Sequence, residues 1–303
     1  MSGAILSTLN LTKQLGTSEL LSNVNMTISR GDIYGFIGNN GAGKTTFMRT
    51  ITGLMKHDSG EIKLFGEKFS NNRELLKKVG ALIESPVFFP EMTGYDNLKY
   101  FSILNGKSKE DVDELIQIMN LKKVAGKKVK NYSLGMKQRL GIAITLISDP
   151  EFIVLDEPLN GLDPQGIQDI RKLILKLKEE RNITFLISSH ILSELEQIAT
   201  KYGIMHDGKL LEEFSIEDYE NLGFIGFTIE TDQSFETLAF LKERFPENQI
   251  TIENKGEIYI GLGEDDEGIL QDVLQKKFIS SFYIKKRVKD MEEYFLERVE
   301  NVQ

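Results

Sequence analysis

Apolar residues follow two rhythms along this chain. Near the start, Ile5, Leu9 and Leu11, then Val24, Met26 and Ile28, alternate loosely between Asn and Gly turns. That spacing predicts short antiparallel strands over residues 5–34. Ile33–Ile37 is a short apolar run that reads as a buried strand, and a helix is expected from about Thr45 to Gly53. His57–Gly60 reads as a turn, Glu61–Phe65 as a strand, Asn71-Asn72 with Arg73–Lys78 as a short helix, and Val79–Ile83 as a strand. From Pro86 to Ile147 the apolar spacing lengthens to three and four, which predicts helices at Tyr95–Leu104, Lys109–Met119 and Leu134–Ile147. Strands return at Phe152–Leu155 and Ile183–Ile187, on either side of an amphipathic helix at Ile167–Lys178. Such alternation implies an α/β fold, with a largely parallel sheet covered on both faces.

Near residue 222 the pattern changes again. Strand Phe224–Ile229, helix Phe235–Phe245, strands Ile250–Glu253 and Ile258–Leu262, helix Ile269–Phe278 and strand Phe282–Val288 follow, with a last helix from Met291. A β-α-β-β-α-β order matches the ferredoxin-like motif. The expected division is therefore a domain of residues 1–222, with a helical subdomain at about 86–147, and a small α+β domain of residues 223–303. The acidic run Glu264–Glu267 precedes a helix, where negative charge suits the dipole, and is read that way rather than as a metal site.

Composition narrows the functions open to such a fold. The chain has 303 residues, of which 40% are apolar, enough for a substantial core. Thirty-seven basic against 46 acidic residues leave a net charge of −9, which argues against a general nucleic-acid binder. The lack of cysteine excludes disulfides, thiolate metal sites and a cysteine nucleophile. Met1–Asn10 has no basic segment followed by an apolar core, so no secretory signal is expected, and no window is apolar enough to span a bilayer. A membrane role would need a second polypeptide. Lysines 122, 123, 127, 128 and 130 crowd one connection and read as a solvated face, with contact to anionic headgroups as the other reading.

The chemistry starts where the first buried strand ends. Gly38-Asn39-Asn40-Gly41-Ala42-Gly43-Lys44-Thr45-Thr46 fits the phosphate-binding pattern, two glycines with four residues between them and then Lys-Thr. Glycines let the backbone curl so that its N–H groups face phosphate oxygens. Lys44 supplies a point charge, the Thr45 hydroxyl suits a Mg²⁺ ligand, and the following helix aims its positive end at the same anion. Asp156, after the apolar Phe152–Leu155, is placed to hold Mg²⁺, and Glu157 to act on water. Ser133 is suited to cap the helix after it, while Gly135 leaves room for a phosphate near the backbone.

Taken together, these motifs resemble those of the ATP-binding cassette (ABC) transporter ATPases, and they arrive in that family's order over residues 1 to about 220. Gly38–Thr46 resembles the Walker A loop; Ser133, Gly135, Met136, Lys137 and Gln138 the signature; Phe152–Glu157 Walker B. Asp163 falls in a D-loop and His190 matches the switch histidine, whereas His57 and His206 match nothing and are expected on the surface. The resemblance implies a P-loop NTPase cassette: a mostly parallel core with an antiparallel β subdomain and a helical subdomain. It also implies ATP and Mg²⁺ as ligands and a head-to-tail pair of subunits, the signature of one closing on the nucleotide of the other. A separate membrane permease and a place on the cytoplasmic face of the membrane complete the expectation. Glu157 would be the general base, with Lys44 and His190 acting on the γ-phosphate. The alternatives are a non-transport ABC factor of translation or DNA repair, or a P-loop kinase.

Three positions depart from the family pattern. Glu84 stands where glutamine is usual and would bring a third carboxylate to the metal beside Thr45 and Asp156. This feature resembles the branch exporting lantibiotics and related antimicrobial peptides. Leu134 replaces a signature glycine, with Ser133 and Gly135 kept. Leu15 stands at the position of the aromatic that stacks on adenine, so stacking should be weaker and base selectivity looser; a strict preference for ATP would point to Tyr34 or Phe36 instead. The stretch Val288–Leu296 resembles the tail of drug and antibiotic export ATPases, and equally reads as an amphipathic helix with Met291, Phe295 and Val299 on one face.

Overall fold

Two strands of alternating burial, β1 (Ala4–Leu15) and β2 (Ser18–Ser29), form an antiparallel hairpin, and β3 (Ile33–Ile37) follows, buried at every position. The structure is a computed structural model and describes residues 3–69, 73–86, 88–222, 224–253, 256–277, 282–288 and 291–300. The chain forms two compact units, Met1–Ser215 and Ile216–Gln303.

In the first unit, α1 (Lys44–Ile51) leaves β3, and β4 (Ser59–Leu64), β5 (Glu67–Lys68), α2 (Arg73–Leu76) and β6 (Val79–Leu82) come next. Ser59 and Gly60, expected in a turn, already belong to β4, with Ser59 opposite Thr12, while Asn71 and Asn72 lie outside the described residues. Helices α3 (Gly94–Leu104), α4 (Lys109–Ile118) and α5 (Leu134–Leu146) stand where the three-and-four spacing predicts them. Thr93 and Ser108 cap α3 and α4 by accepting from Asp96 N–H and Asp111 N–H, which fixes both starts. Then come β7 (Phe152–Leu155), α6 (Pro164–Arg181), β8 (Thr184–Ser189), β9 (Lys201–His206) and β10 (Lys209–Ser215).

Among the described residues of this unit, β2-β1-β4-β5 form an antiparallel sheet and β10-β9-β3-β8-β7-β6 a second, mostly parallel one. β3, β7 and β8 are buried throughout, as strands covered on both faces must be, which is why their sequences are apolar runs rather than alternations. The two sheets share one core: Ile5, Leu6 and Val24 pack in the same cluster as Phe36, Phe47, Phe152 and Leu186. Burying each such side chain contributes about 1.5–3 kcal/mol. The strand order has a functional consequence. β3, β8, β7 and β6 run parallel and side by side, so the residues after Ile37, Ser189, Leu155 and Leu82 emerge together along one edge.

Residues 201–215, where the apolar spacing predicts no element, form a strand pair with Lys209 opposite His206. Asp207 (φ 44°) and Gly208 (φ 75°) make its two-residue turn. An Asp-Gly pair between two apolar runs, Ile204-Met205 before His206 and Leu210-Leu211 after Lys209, is a hairpin signal.

The second unit opens with α7 (Ile216–Leu222) and continues β11 (Phe224–Thr231), α8 (Ser234–Arg244), β12 (Ile250–Ile252), β13 (Ile258–Ile260), α9 (Glu267–Lys276), β14 (Phe282–Val288) and α10 (Met291–Glu300). Its antiparallel sheet runs β12-β13-β11-β14. That is the strand order of the ferredoxin-like motif. One face carries the core, Phe227, Ile229, Ile258 and Ile260 packing with Leu241, Leu270 and Leu274 of the helices. Glu264 and Glu267, from the acidic run, both pair with Lys286. On α10 the buried face is Met291, Tyr294, Phe295 and Val299, while Lys289 and Asp290 of the exporter-like tail lie outside the described residues.

Candidate nucleotide site

The phosphate loop is built between β3 and α1 and braced from behind. Gly208 N–H donates to Ala42 O at 2.9 Å, tying the loop to the β9–β10 turn. A side chain at Gly38 would stand 2.4 Å from Met205 O. Gly43 adopts φ 106° just before α1, a conformation L side chains rarely take, with Leu20 O 2.9 Å from where a Cβ would be. Both glycines are therefore set by the protein's own backbone. The loop lines a cavity of about 520 Å³, whose wall also includes Glu19, Leu20, Glu157, Asp207 and Gly208.

Charged groups converge on this loop. The buried Lys44 ammonium donates to Gly38 O and Asn39 O and lies 3.4 Å from Glu157 Oε1. Thr45 Oγ1 donates to Asp156 Oδ2 at 2.8 Å, and Ser188 Oγ donates to Asp156 Oδ1 at 2.6 Å. Asp156 is 5% exposed, and among the described residues no cationic side chain pairs with it. A buried carboxylate without a counter-charge, sharing a point with a hydroxyl, is a hard-oxygen donor set suited to Mg²⁺. These two residues thus fit the expected metal.

Glu157 adopts φ 48°, a left-handed conformation uncommon outside glycine. Its backbone N–H donates to Ser188 Oγ at 2.8 Å, and its Oε2 lies 2.8 Å from His190 Nδ1. A carboxylate accepts there, so His190 carries its proton on Nδ1. The turn holding His190 is fixed by Ser189, whose Oγ donates to Glu194 Oε2 and accepts from Ile191 N–H. Ser188 escaped the sequence reading. The sequence marks only a hydroxyl in a buried strand, which must find a partner; that the partners are Asp156 and Glu157 follows from β8 lying beside β7.

Other expected residues lie elsewhere. Ser133 caps α5 by accepting from Met136 N–H, and Asp163 caps α6 by accepting from Gly166 N–H. Neither they nor Gly135 and Met136 line the phosphate-loop cavity. Lys137 and Gln138 line a second cavity of about 620 Å³ with Glu84, Asp156 and Glu157. Glu84 is thus beside the metal pair, but its carboxylate is held by Arg49 rather than bonded to Thr45 or Asp156. Leu15 is 67% exposed and outside the phosphate-loop cavity. The substitutes named for it fail: Tyr34 and Phe36 are fully buried, so neither reaches a base. Tyr34 OH donates to Glu213, and burial first, then that carboxylate, pushes the phenol pKa well above its ordinary value. The expectation of surface histidines is also corrected. His57 and His206 are half-buried, His206 at the end of the strand whose turn braces the loop. Of the lysine run, Lys128 and Lys130 pair with Glu91 and hold its pKa below the usual carboxylate range, so that part is a clasped surface.

Comparison with known proteins agrees with this geometry. The family model described as "ABC transporter" matches residues 21–160. A second model, described as an AAA domain and putative AbiEii toxin of a type IV toxin–antitoxin system, matches residues 128–196, a stretch without the phosphate loop. The bacitracin transport ATP-binding protein BcrA of Bacillus licheniformis is 40% identical over 301 residues, 97% of each chain. The lantibiotic transport ATP-binding protein SrtF of Streptococcus pyogenes is 45% identical over 213 residues, 70% of this chain and 92% of its own. Among solved structures, a nucleotide-free ATP-binding cassette from an ABC transporter superposes with a TM-score of 0.65 at 28% identity, covering 70% of this chain and 92% of that one. A dimeric cassette in a post-hydrolysis state with ADP and Pi gives 0.63 at 25% identity, covering 70% and 98%.

Proposed function

This chain belongs to the ATP-binding proteins of ABC transporters, and on that premise we propose that it powers export of an antimicrobial peptide of the bacitracin or lantibiotic kind. The observation carrying the peptide reading is the 40% identity to a bacitracin transport protein, which runs through the second unit as well as the ATPase unit. Glu84, in the place of the usual glutamine, supports the same branch.

The chemistry is hydrolysis of ATP to ADP and phosphate. The phosphate loop binds the β- and γ-phosphates through backbone N–H groups, with Lys44 leaving Gly38 O for the anion. Glu157 accepts the proton of the attacking water and, through the Nδ1 contact, orients the His190 ring to act at the γ-phosphate. Thr45 and Asp156 would hold Mg²⁺, which supplies positive charge where negative charge builds up. Ser133 and Gly135 stand outside their own chain's loop cavity, which supports a head-to-tail pair in which each signature completes the partner's site. No helix among the described residues is long and apolar enough to cross a membrane, so the reading includes a separate permease, with this chain at its cytoplasmic face.

Two measurements test this. Purified protein should release phosphate from ATP with no acceptor present; a requirement for an acceptor would favour a kinase. Co-expression with its permease should raise bacitracin or lantibiotic resistance in a sensitive host, and the Glu84→Gln variant should keep ATP binding but lose that protection. Unaltered protection in the variant would remove Glu84 from the coupling role.

A further inference from the structure

Arg49 lies four residues beyond Thr45 on α1, so the two side chains leave the same face of the phosphate-loop helix, about 5–6 Å apart at Cβ. The Arg49 guanidinium pairs through one nitrogen with Glu84 Oε1. Glu84 itself follows β6 in a left-handed conformation, φ 64°, and lines one cavity with Asp156 and Glu157. Its carboxylate is thus held by a side chain of the same helix that carries the Thr45 hydroxyl, which on the reading above ligates the metal. Three carboxylates around one cavity repel each other unless positive charge is near. Asp156 has no cationic partner among the described residues, Glu157 has Lys44, and Glu84 has Arg49.

We propose that Arg49 is a positioning residue: it holds Glu84 on the flank of α1, in competition with the divalent cation that Thr45 and Asp156 would hold. The hold on Glu84 is weak by construction. The side chains are 36% and 58% exposed and touch through a single nitrogen and a single oxygen, so solvent screens the pair. Ion pairs of this kind shift an equilibrium by about two- to fivefold, which a divalent cation overcomes without difficulty. Glutamine at position 84 would carry no charge and would feel neither partner in this way. The glutamate makes cation binding sensitive to Arg49.

This inference rests on the proposed nucleotide and metal site, and its test separates the two. Mn²⁺ binding to the full chain with a non-hydrolysable ATP analogue is followed by electron paramagnetic resonance. The variants are Arg49→Met, Arg49→Gln, Arg49→Lys, Glu84→Gln and the Arg49→Met/Glu84→Gln double, each checked for native melting. Arg49→Met and Arg49→Gln should bind Mn²⁺ about two- to fivefold more tightly, with Arg49→Lys returning towards the parent. Glu84→Gln should weaken binding and cancel the effect of Arg49→Met, so the double matches Glu84→Gln alone. Unchanged affinity in both neutral variants, or the same gain with and without Glu84, overturns the role of Arg49 while leaving the metal site standing. Absence of analogue-dependent Mn²⁺ binding in the parent protein overturns the metal site and this proposal together.

Discussion

His190 Nδ1 stands 2.8 Å from Glu157 Oε2, so the two side chains expected to act on the γ-phosphate and the water form a single hydrogen-bonded unit. The other oxygen of Glu157, Oε1, is buried without a hydrogen bond and faces Lys44 Nζ at 3.4 Å. One carboxylate therefore bridges the lysine and the histidine. Groups that act as a unit lose nearly as much singly as together. Glu157→Gln and His190→Ala should each lower steady-state phosphate release by about 10²–10⁴-fold, and the double variant little further. A fall that multiplies in the double would show that the two act independently. Nucleotide affinity of Glu157→Gln, measured by fluorescent ATP analogue, should hold.

Ser188 ties down both acidic residues, donating to Asp156 Oδ1 and accepting from the backbone N–H of Glu157, in a strand with no exposed position. Ser188→Ala leaves that N–H and one buried oxygen unsatisfied. The expected cost is about 1–3 kcal/mol in denaturant unfolding, with weaker metal-dependent nucleotide binding. Unfolding at the parent's midpoint would contradict this.

Gly38 cannot carry a side chain without moving Met205 O, only 2.4 Å from where its Cβ would be. Gly38→Ala should displace the loop and abolish measurable ATP binding, since the cradle depends on backbone N–H directions. Binding within threefold of the parent would show that the loop yields.

Burial, and then Glu213, raise the Tyr34 pKa. A raised pKa in the folded state means the neutral phenol is favoured there. Its contribution is fully present below the unfolded pKa of about 10 and is lost as pH rises through the folded value. Denaturation midpoints at pH 8 and pH 11 should therefore fall less in Tyr34→Phe than in the parent. Equal falls would mean that Tyr34 does not set alkaline stability.

Among the described residues, no aromatic lines the phosphate-loop cavity, and Leu15 is exposed outside that lining. Base stacking on an aromatic is worth about 1–3 kcal/mol, and its lack should leave selectivity loose. We expect kcat/KM for GTP within about tenfold of that for ATP, and Leu15→Tyr to tighten ATP binding. A strict preference for ATP would locate base recognition elsewhere, with Glu19 and Leu20 next to be tested.

Gly38–Thr46 and Phe152–Glu157 were legible in the sequence because their chemistry is local. A phosphate cradle is a run of backbone angles, and a buried strand is a run of apolar residues, each written in consecutive positions. Helix spacing likewise marked α3, α4 and α5. What only the tertiary structure decided is which distant groups share a point. The strand order put Ser188 against Asp156, 32 residues apart, and carried Glu84 to Arg49, 35 residues apart. The burial of Tyr34 and Phe36, by contrast, follows from the apolar run that already reads as a buried strand. Periodicity reports which positions of a strand are buried. It does not report which strand lies alongside, and side-chain partners across a sheet depend on that neighbour.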